Sequence, residues 1–180
     1  MPAAHPPPSK AKEDPERPWK ARWRLREDVA RQMLPPVAGG AESPRERVER
    51  LLAEGKMPRA SVQRAERLWR EQLRSGVSMP NGELVWITLD DLYHVIVDDR
   101  IWRHPERIKA ALTHVFEIRA SHSSRRQAFS RWSEGETTQL AALVLTADSR
   151  LWSIHLIDEK RLRRYNRQGG ELLWRQSEQA

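Results

Sequence analysis

Two histidines ten positions apart, His94 and His104, stand in the segment DLYHVIVDDRIWRHPERI, residues 91–108. Arg103 sits beside the second, and Pro105 follows it. Arg119, Arg125, Arg126, Arg131 and His155 lie downstream on strand-like segments. Imidazole titrates near neutrality, so a histidine pair can take one proton and return another. The planar fork of arginine matches two phosphate oxygens at once. These residue types suit RNA cleavage through the ribose 2′-hydroxyl, which needs a base, an acid and positive charge at phosphorus. In this reading His104 and His155 supply acid and base. Arg119, Arg126 and Arg131 hold phosphate and stabilise the developing charge. Phe129 shares a strand face with Arg131 and offers a ring for a base to stack on.

The elements that must position these groups follow from hydropathic period. Residues 89–97 form a helix that buries Leu92, Val95 and Ile96, and Thr88 with Asp91 makes a capping box at its start. His94 lies on that helix next to core positions and reads as a structural histidine. Residues 98–103 connect. His104 is biased out of the helical region by Pro105, and a helix runs from there to about residue 113. The period then changes to two. Residues 114–120 and 125–132 alternate, 138–146 are nearly all apolar and read as a central strand, and 151–158 form a further strand. Turns at 134–137 and 147–150 join them. Residues 159–166 are helical and basic, Gly169-Gly170 ends that helix, and 171–174 form an edge strand. The expected domain is therefore α+β over residues 84–174: two helices followed by a mostly antiparallel sheet of four to five strands.

The first half reads differently. Residues 1–18 are a proline-rich, charged, disordered tail. Residues 19–43 hold a basic helix bearing Trp19 and Trp23, then the linker PPVAGGAES. Residues 44–76 form a helical hairpin, with Ser43 as N-cap, Pro44 at the first helical position and Gly76 as a stop. Glu66 and Glu71 alternate with Arg64, Arg67, Arg70 and Arg74 on its second helix, which reads as a solvated, salt-bridged face rather than a DNA-reading one. Asn81-Gly82 marks the turn into the α+β region.

Leu92, His94, the Arg103-His104-Pro105 run, Ile108, Leu112, the strand at 115–119, Phe129 and the strands at 143–145 and 151–157 together carry a family pattern. In order and spacing they resemble the phage-associated nuclease-like domains of the barnase, EndoU, colicin E5/D and RelE superfold. The resemblance covers roughly residues 84–174. It implies a metal-independent ribonuclease or toxin with His104, in its R-H-P slot, as a site residue, and Arg103 beside it in contact with substrate. It also implies a hydroxyl or basic group on the last long strand, where Ser153 and His155 stand.

Composition sets the outer limits. The chain of 180 residues carries a net charge of +7 at a sequence pI near 10.3, which favours an anionic partner, RNA first. Residues 1–83 carry 17 Lys+Arg against 12 Asp+Glu, and residues 84–180 carry 15 against 13. The arginines of the α+β domain must therefore be focused locally to act on an anion. Cysteine is absent, which excludes disulfides, thiolate chemistry and cysteine-based zinc sites. Asp90-Asp91 and Asp98-Asp99 read as helix-end residues rather than metal ligands, and no phosphate-binding glycine loop occurs, so neither metal nor cofactor is expected. No apolar run is long enough for a transmembrane helix and no secretory leader is recognisable, so a cytoplasmic protein without membrane contact is expected. The N-terminal helices suit a protein inhibitor or fusion partner. A non-catalytic module that binds nucleic acid or protein through the same sheet face and the basic N-terminal arm is the alternative reading.

Overall fold

A five-stranded antiparallel sheet carries the domain, and its central strands are buried on both faces. The structure, a computed structural model, describes residues 41–122 and 124–177. The expectations for the proline-rich tail and the tryptophan-bearing helix fall outside them. Strands β3 (Val115–Ala120), β4 (Arg126–Glu134), β5 (Thr137–Leu145), β6 (Leu151–Ile157) and β7 (Leu172–Arg175) align in the order β6-β5-β4-β3-β7. Before them, β1 (Val77–Ser78) and β2 (Leu84–Val85) form a small hairpin around Asn81-Gly82. Gly82 takes φ +84°, a conformation that glycine adopts without strain. The α+β class and the antiparallel sheet are as the sequence predicts.

Two helices begin where their capping residues say they should. Helix α1 (Pro44–Ala53) starts at Ser43, whose hydroxyl accepts from the Glu46 amide at 3.2 Å while the Glu46 carboxylate accepts from the Ser43 amide at 2.7 Å. Helix α3 (Leu89–Val95) repeats the device with Thr88 and Asp91. Between them, α2 (Arg59–Leu68) continues into a π-helical turn at Trp69–Leu73. There the Trp69 indole donates to the Ile87 carbonyl at 2.7 Å, which ties the hairpin to the segment leading into α3. The connection predicted at 98–103 instead contains one helical turn, α4 (Asp99–Trp102), because the Asp98 carboxylate accepts from the Arg100 amide. Helix α5 (Arg107–Thr113) begins two residues after Pro105.

The sheet has two different faces. Ala128, Trp132, Ala141, Leu143, Leu145, Leu151 and Ile154 point into a large core shared with α1 to α5, in which Val48, Val62, Leu73, Leu92, Ile101 and Leu112 are buried. The helical hairpin thus closes the same core as the sheet. Phe129, Leu140 and Ala142 point the other way, toward Leu162 of helix α6 (Glu159–Gln168), with Phe116, Ile157 and Tyr165 at the margin. Burying a side chain such as Phe129 contributes about 1.5–3 kcal/mol.

Partly buried ion pairs fasten the layers. Arg126 grips Glu83 at 2.5 and 2.6 Å. Arg150 grips Asp91 at 2.7 and 3.2 Å and so docks α3 onto β6. Arg107 on α5 grips Glu134 at the end of β4. Glu117, only 2% exposed, is held between Arg119 and Arg175 and pins β7 to β3. Burial pushes the Glu117 carboxyl up, but the two guanidinium groups outweigh it and hold the carboxyl below the ordinary glutamate range. A depressed folded-state pKa contributes stability above the unfolded value and loses it as pH falls through the folded one. Glu117→Gln therefore lowers stability by about 1–3 kcal/mol at neutral pH. That loss shrinks as denaturation is repeated at lower pH; a deficit that is constant with pH contradicts the assignment.

Candidate functional site on the edge strand

Strand β6 is one edge of the sheet, and its start is irregular. Val144 pairs with Ser153 but Leu145 pairs with Leu151, so Trp152 has no partner across the ladder. Such a bulge re-aims the extra residue. Trp152 stands 42% exposed between two neighbours from other elements. The Arg125 guanidinium lies 4.6 Å from its ring centre. The His94 ring lies 5.2 Å away, tilted by 41°. Arginine over an indole face is a cation–π contact, and the tryptophan also shields the imidazole from water.

Three residues on, His155 pairs with Ala142, which belongs to the α6-side cluster, so its side chain leaves the sheet on that face. Its ring is solvent-exposed yet surrounded by charge. Partial burial lowers its pKa below the ordinary histidine value, Arg161 and Arg100 lower it further, and Asp98 opposes them. His94 also acts on it. The pKa of His94 is lowered as well, first by burial and then by Arg47, against Asp91. Both rings are therefore biased toward neutral imidazole at pH 7. No hydrogen bond occupies either ring among the described residues. Arg100 makes a two-pronged contact to Asp98 at 2.7 and 3.0 Å, and its third nitrogen reaches the Leu156 carbonyl at 3.4 Å. The segment between α3 and α4 is thus tied to the outer edge of β6, one residue from His155.

The residues predicted for the site disperse. His104 lies in the helical layer between α4 and α5, 3.6 Å from Glu106, which also accepts from Arg64 of α2. Its layer, which also carries His94 on α3, covers the sheet face opposite the one from which the His155 side chain emerges. Arg103 lies over the Trp102 ring at 4.8 Å and near Asp99 at 3.7 Å. Arg119 is occupied by Glu117 and the Gly170 carbonyl, and Arg126 by Glu83 and the Ser149 hydroxyl. Phe129 is 0% exposed, so it packs the core and cannot stack a base. Arg131 shares the His155 face but pairs with Glu159 at 3.1 Å over the Phe116 ring. Ser153 is half-buried on β6, two residues before His155 and facing the same way.

Of the expected residues, His155 and Ser153 share one face of β6; His94, Trp152 and Arg125 meet at the bulge, and Arg161 lies on α6. The signal for His94 was present. It sits two residues from both Leu92 and Ile96, about 200° around the helix from each, so it cannot share their buried stripe. Among the described residues no group of three or more His, Asp or Glu is placed to hold a metal ion, and no helix is long and apolar enough to cross a membrane. A cleft of about 240 Å³ opens between α1, α2 and α3, and part of its charged lining is paired internally. Arg45 pairs there with Glu49, and the Tyr93 hydroxyl donates to Glu66 at 2.6 Å.

Comparison of the chain with protein-family models, curated proteins and solved structures finds no match. The site is therefore read from its own chemistry. In a proton-NMR titration His94 and His155 both reach midpoint below the ordinary histidine value of about 6.5. Trp152→Ala raises the His94 midpoint toward that value by letting water in. An unchanged or lower His94 midpoint in that variant contradicts the shielding.

Proposed function

We propose that this domain is a ribonuclease whose acid–base pair is His94 and His155 at the β6 edge. The observation that carries the reading is their arrangement. Trp152, exposed at the β6 bulge, packs against the His94 ring and the Arg125 guanidinium, and His155 stands three residues along the same strand. Arg161 and Arg100 favour the neutral form of His155, which suits it to remove the proton of a ribose 2′-hydroxyl. Burial and Arg47 outweigh Asp91 and lower the His94 pKa, so it is the minor protonated form of His94 that protonates the departing 5′-oxygen. The 2′-oxygen then bonds to phosphorus as the bond to the 5′-oxygen breaks. The products are a 2′,3′-cyclic phosphate and a free 5′-hydroxyl. Arg125 and Arg161 supply positive charge where the phosphorane forms, and Trp152 offers a stacking surface for the adjoining base. The superfold resemblance points to the same reaction class, with His94 in place of His104.

The test is cleavage of labelled RNA in EDTA. Alanine at His94 or His155 lowers the rate by about 10²–10⁴-fold, the usual contribution of a positioned acid or base. His104→Ala leaves cleavage near the parent rate. Full activity after loss of His155 overturns the proposal. Salt-sensitive retention of RNA that stays intact favours the alternative, a binding module without chemistry.

A further inference from the structure

Helix α6 begins four residues after His155 and carries a charge pattern that its packing does not require. Lys160, Arg163, Arg164 and Arg167 fall at i, i+3, i+4 and i+7, which places them on one helical face. Leu162 and Tyr165, on the opposite side, pack toward Phe129. All four basic residues are exposed. Among the described residues none of them has an ion-pair or hydrogen-bond partner. No acidic residue occurs from Lys160 to Gly170. The paired arginines of α1 and of the sheet differ. On α1, Arg45 and Arg50 are matched by Glu49, Glu42 and Glu54. On the sheet, Arg119, Arg126 and Arg131 are matched by Glu117, Glu83 and Glu159. Where charge serves only solubility here, the signs are interspersed. On α6 they are segregated, and self-repulsion along the stripe goes uncompensated.

We infer that this stripe is a phosphate-tracking exosite that holds the single strand of RNA leaving the histidine pair. The inference rests on the ribonuclease reading for its direction and on the stripe for its chemistry. The stripe runs about 10 Å along the helix axis at 1.5 Å per residue, enough for two or three successive phosphates. It adjoins the catalytic edge, because Arg161 on the same helix acts on His155. A single strand rather than a duplex is the partner. The exposed indole of Trp152, along the same edge, needs an unpaired base to stack on.

The test uses the full chain and a fluorescent oligoribonucleotide of about 12 residues, 2′-O-methylated so that it binds without being cleaved. Binding is followed by anisotropy across salt. The variant Lys160→Gln, Arg163→Gln, Arg164→Gln, Arg167→Gln binds about 10- to 100-fold more weakly at moderate salt. Its log-affinity against log-salt slope falls by about 2–3, as expected when four cations leave a single strand. Removing as many charges from α2 and its π turn, by Gln at Arg59, Arg67, Arg70 and Arg74, leaves affinity close to the parent and separates the stripe from net charge. Equal affinity of the α6 variant and the parent overturns the inference, as does equal weakening by both variants. Preference for the base-paired form of the same oligonucleotide overturns the choice of partner. If unmodified RNA is not cleaved by the parent while the α6 variant still loses binding, the ribonuclease reading fails and the exosite stands.

Discussion

Pairing of arginine with carboxylate across elements is the constraint on which this structure depends. A carboxylate as buried as Glu117 or Asp91 is costly unless cations and hydrogen bonds meet it, and each is met by arginine from another part of the chain. Asp91–Arg150 seats α3 against β6, Glu134–Arg107 seats α5 against β4, and Glu83–Arg126 anchors the small hairpin at the other end of β4. The same pairing decides function. An arginine held by a carboxylate has little left for a phosphate. Among the described residues of the α+β domain, the cations that no carboxylate holds include Arg125, stacked on Trp152, and the basic face of α6. The net charge of the chain is thus less informative than which of its arginines are spent.

The ladder slips at the start of β6, as it also does within β3. Four antiparallel pairings align β6, β5, β4, β3 and β7, and the slip between Val144 and Leu145 releases Trp152. A regular continuation would carry the strand into the core pattern that Leu151 and Ile154 follow. Because α3 is docked by Asp91 three residues before His94, the docking bond and the candidate acid lie on one helical turn. Arg100 then closes the outer margin of β6 beside His155. Few side chains make the site, but each is positioned by an element whose docking is itself hydrogen-bonded, so little ordering is left for substrate to bring about.

Much of the fold was legible because it rests on local rules. Ser43-Pro44 and Thr88-Asp91 marked helix starts, Asn81-Gly82 marked a turn, and the change of period after residue 113 marked the sheet. Alternation placed Phe129 and Arg131 on one face and Ala128 and Trp132 on the other, as found. What alternation does not reveal is which face is covered. Phe129 looked available for stacking because nothing in its own strand announces that α6 folds back over it. The pairing of Arg126 with Glu83, 43 residues earlier, is equally non-local. His104 stands in an Arg-His-Pro setting beside Glu106, and His94 is half-buried against Trp152, a contact its own helix does not announce. The bulge at Trp152 depends on register with β5 and leaves no trace in composition.

The proposed reaction breaks RNA by attack of its own 2′-oxygen under histidine acid–base control. The most direct measurement is end analysis of products formed in EDTA from an oligoribonucleotide and from the same oligomer bearing a single 2′-deoxy residue at the preferred site. The account predicts 2′,3′-cyclic phosphate and 5′-hydroxyl ends from the first, and no cleavage at the substituted position of the second. Cleavage at the 2′-deoxy residue, or 5′-phosphate ends from either oligomer, would contradict it.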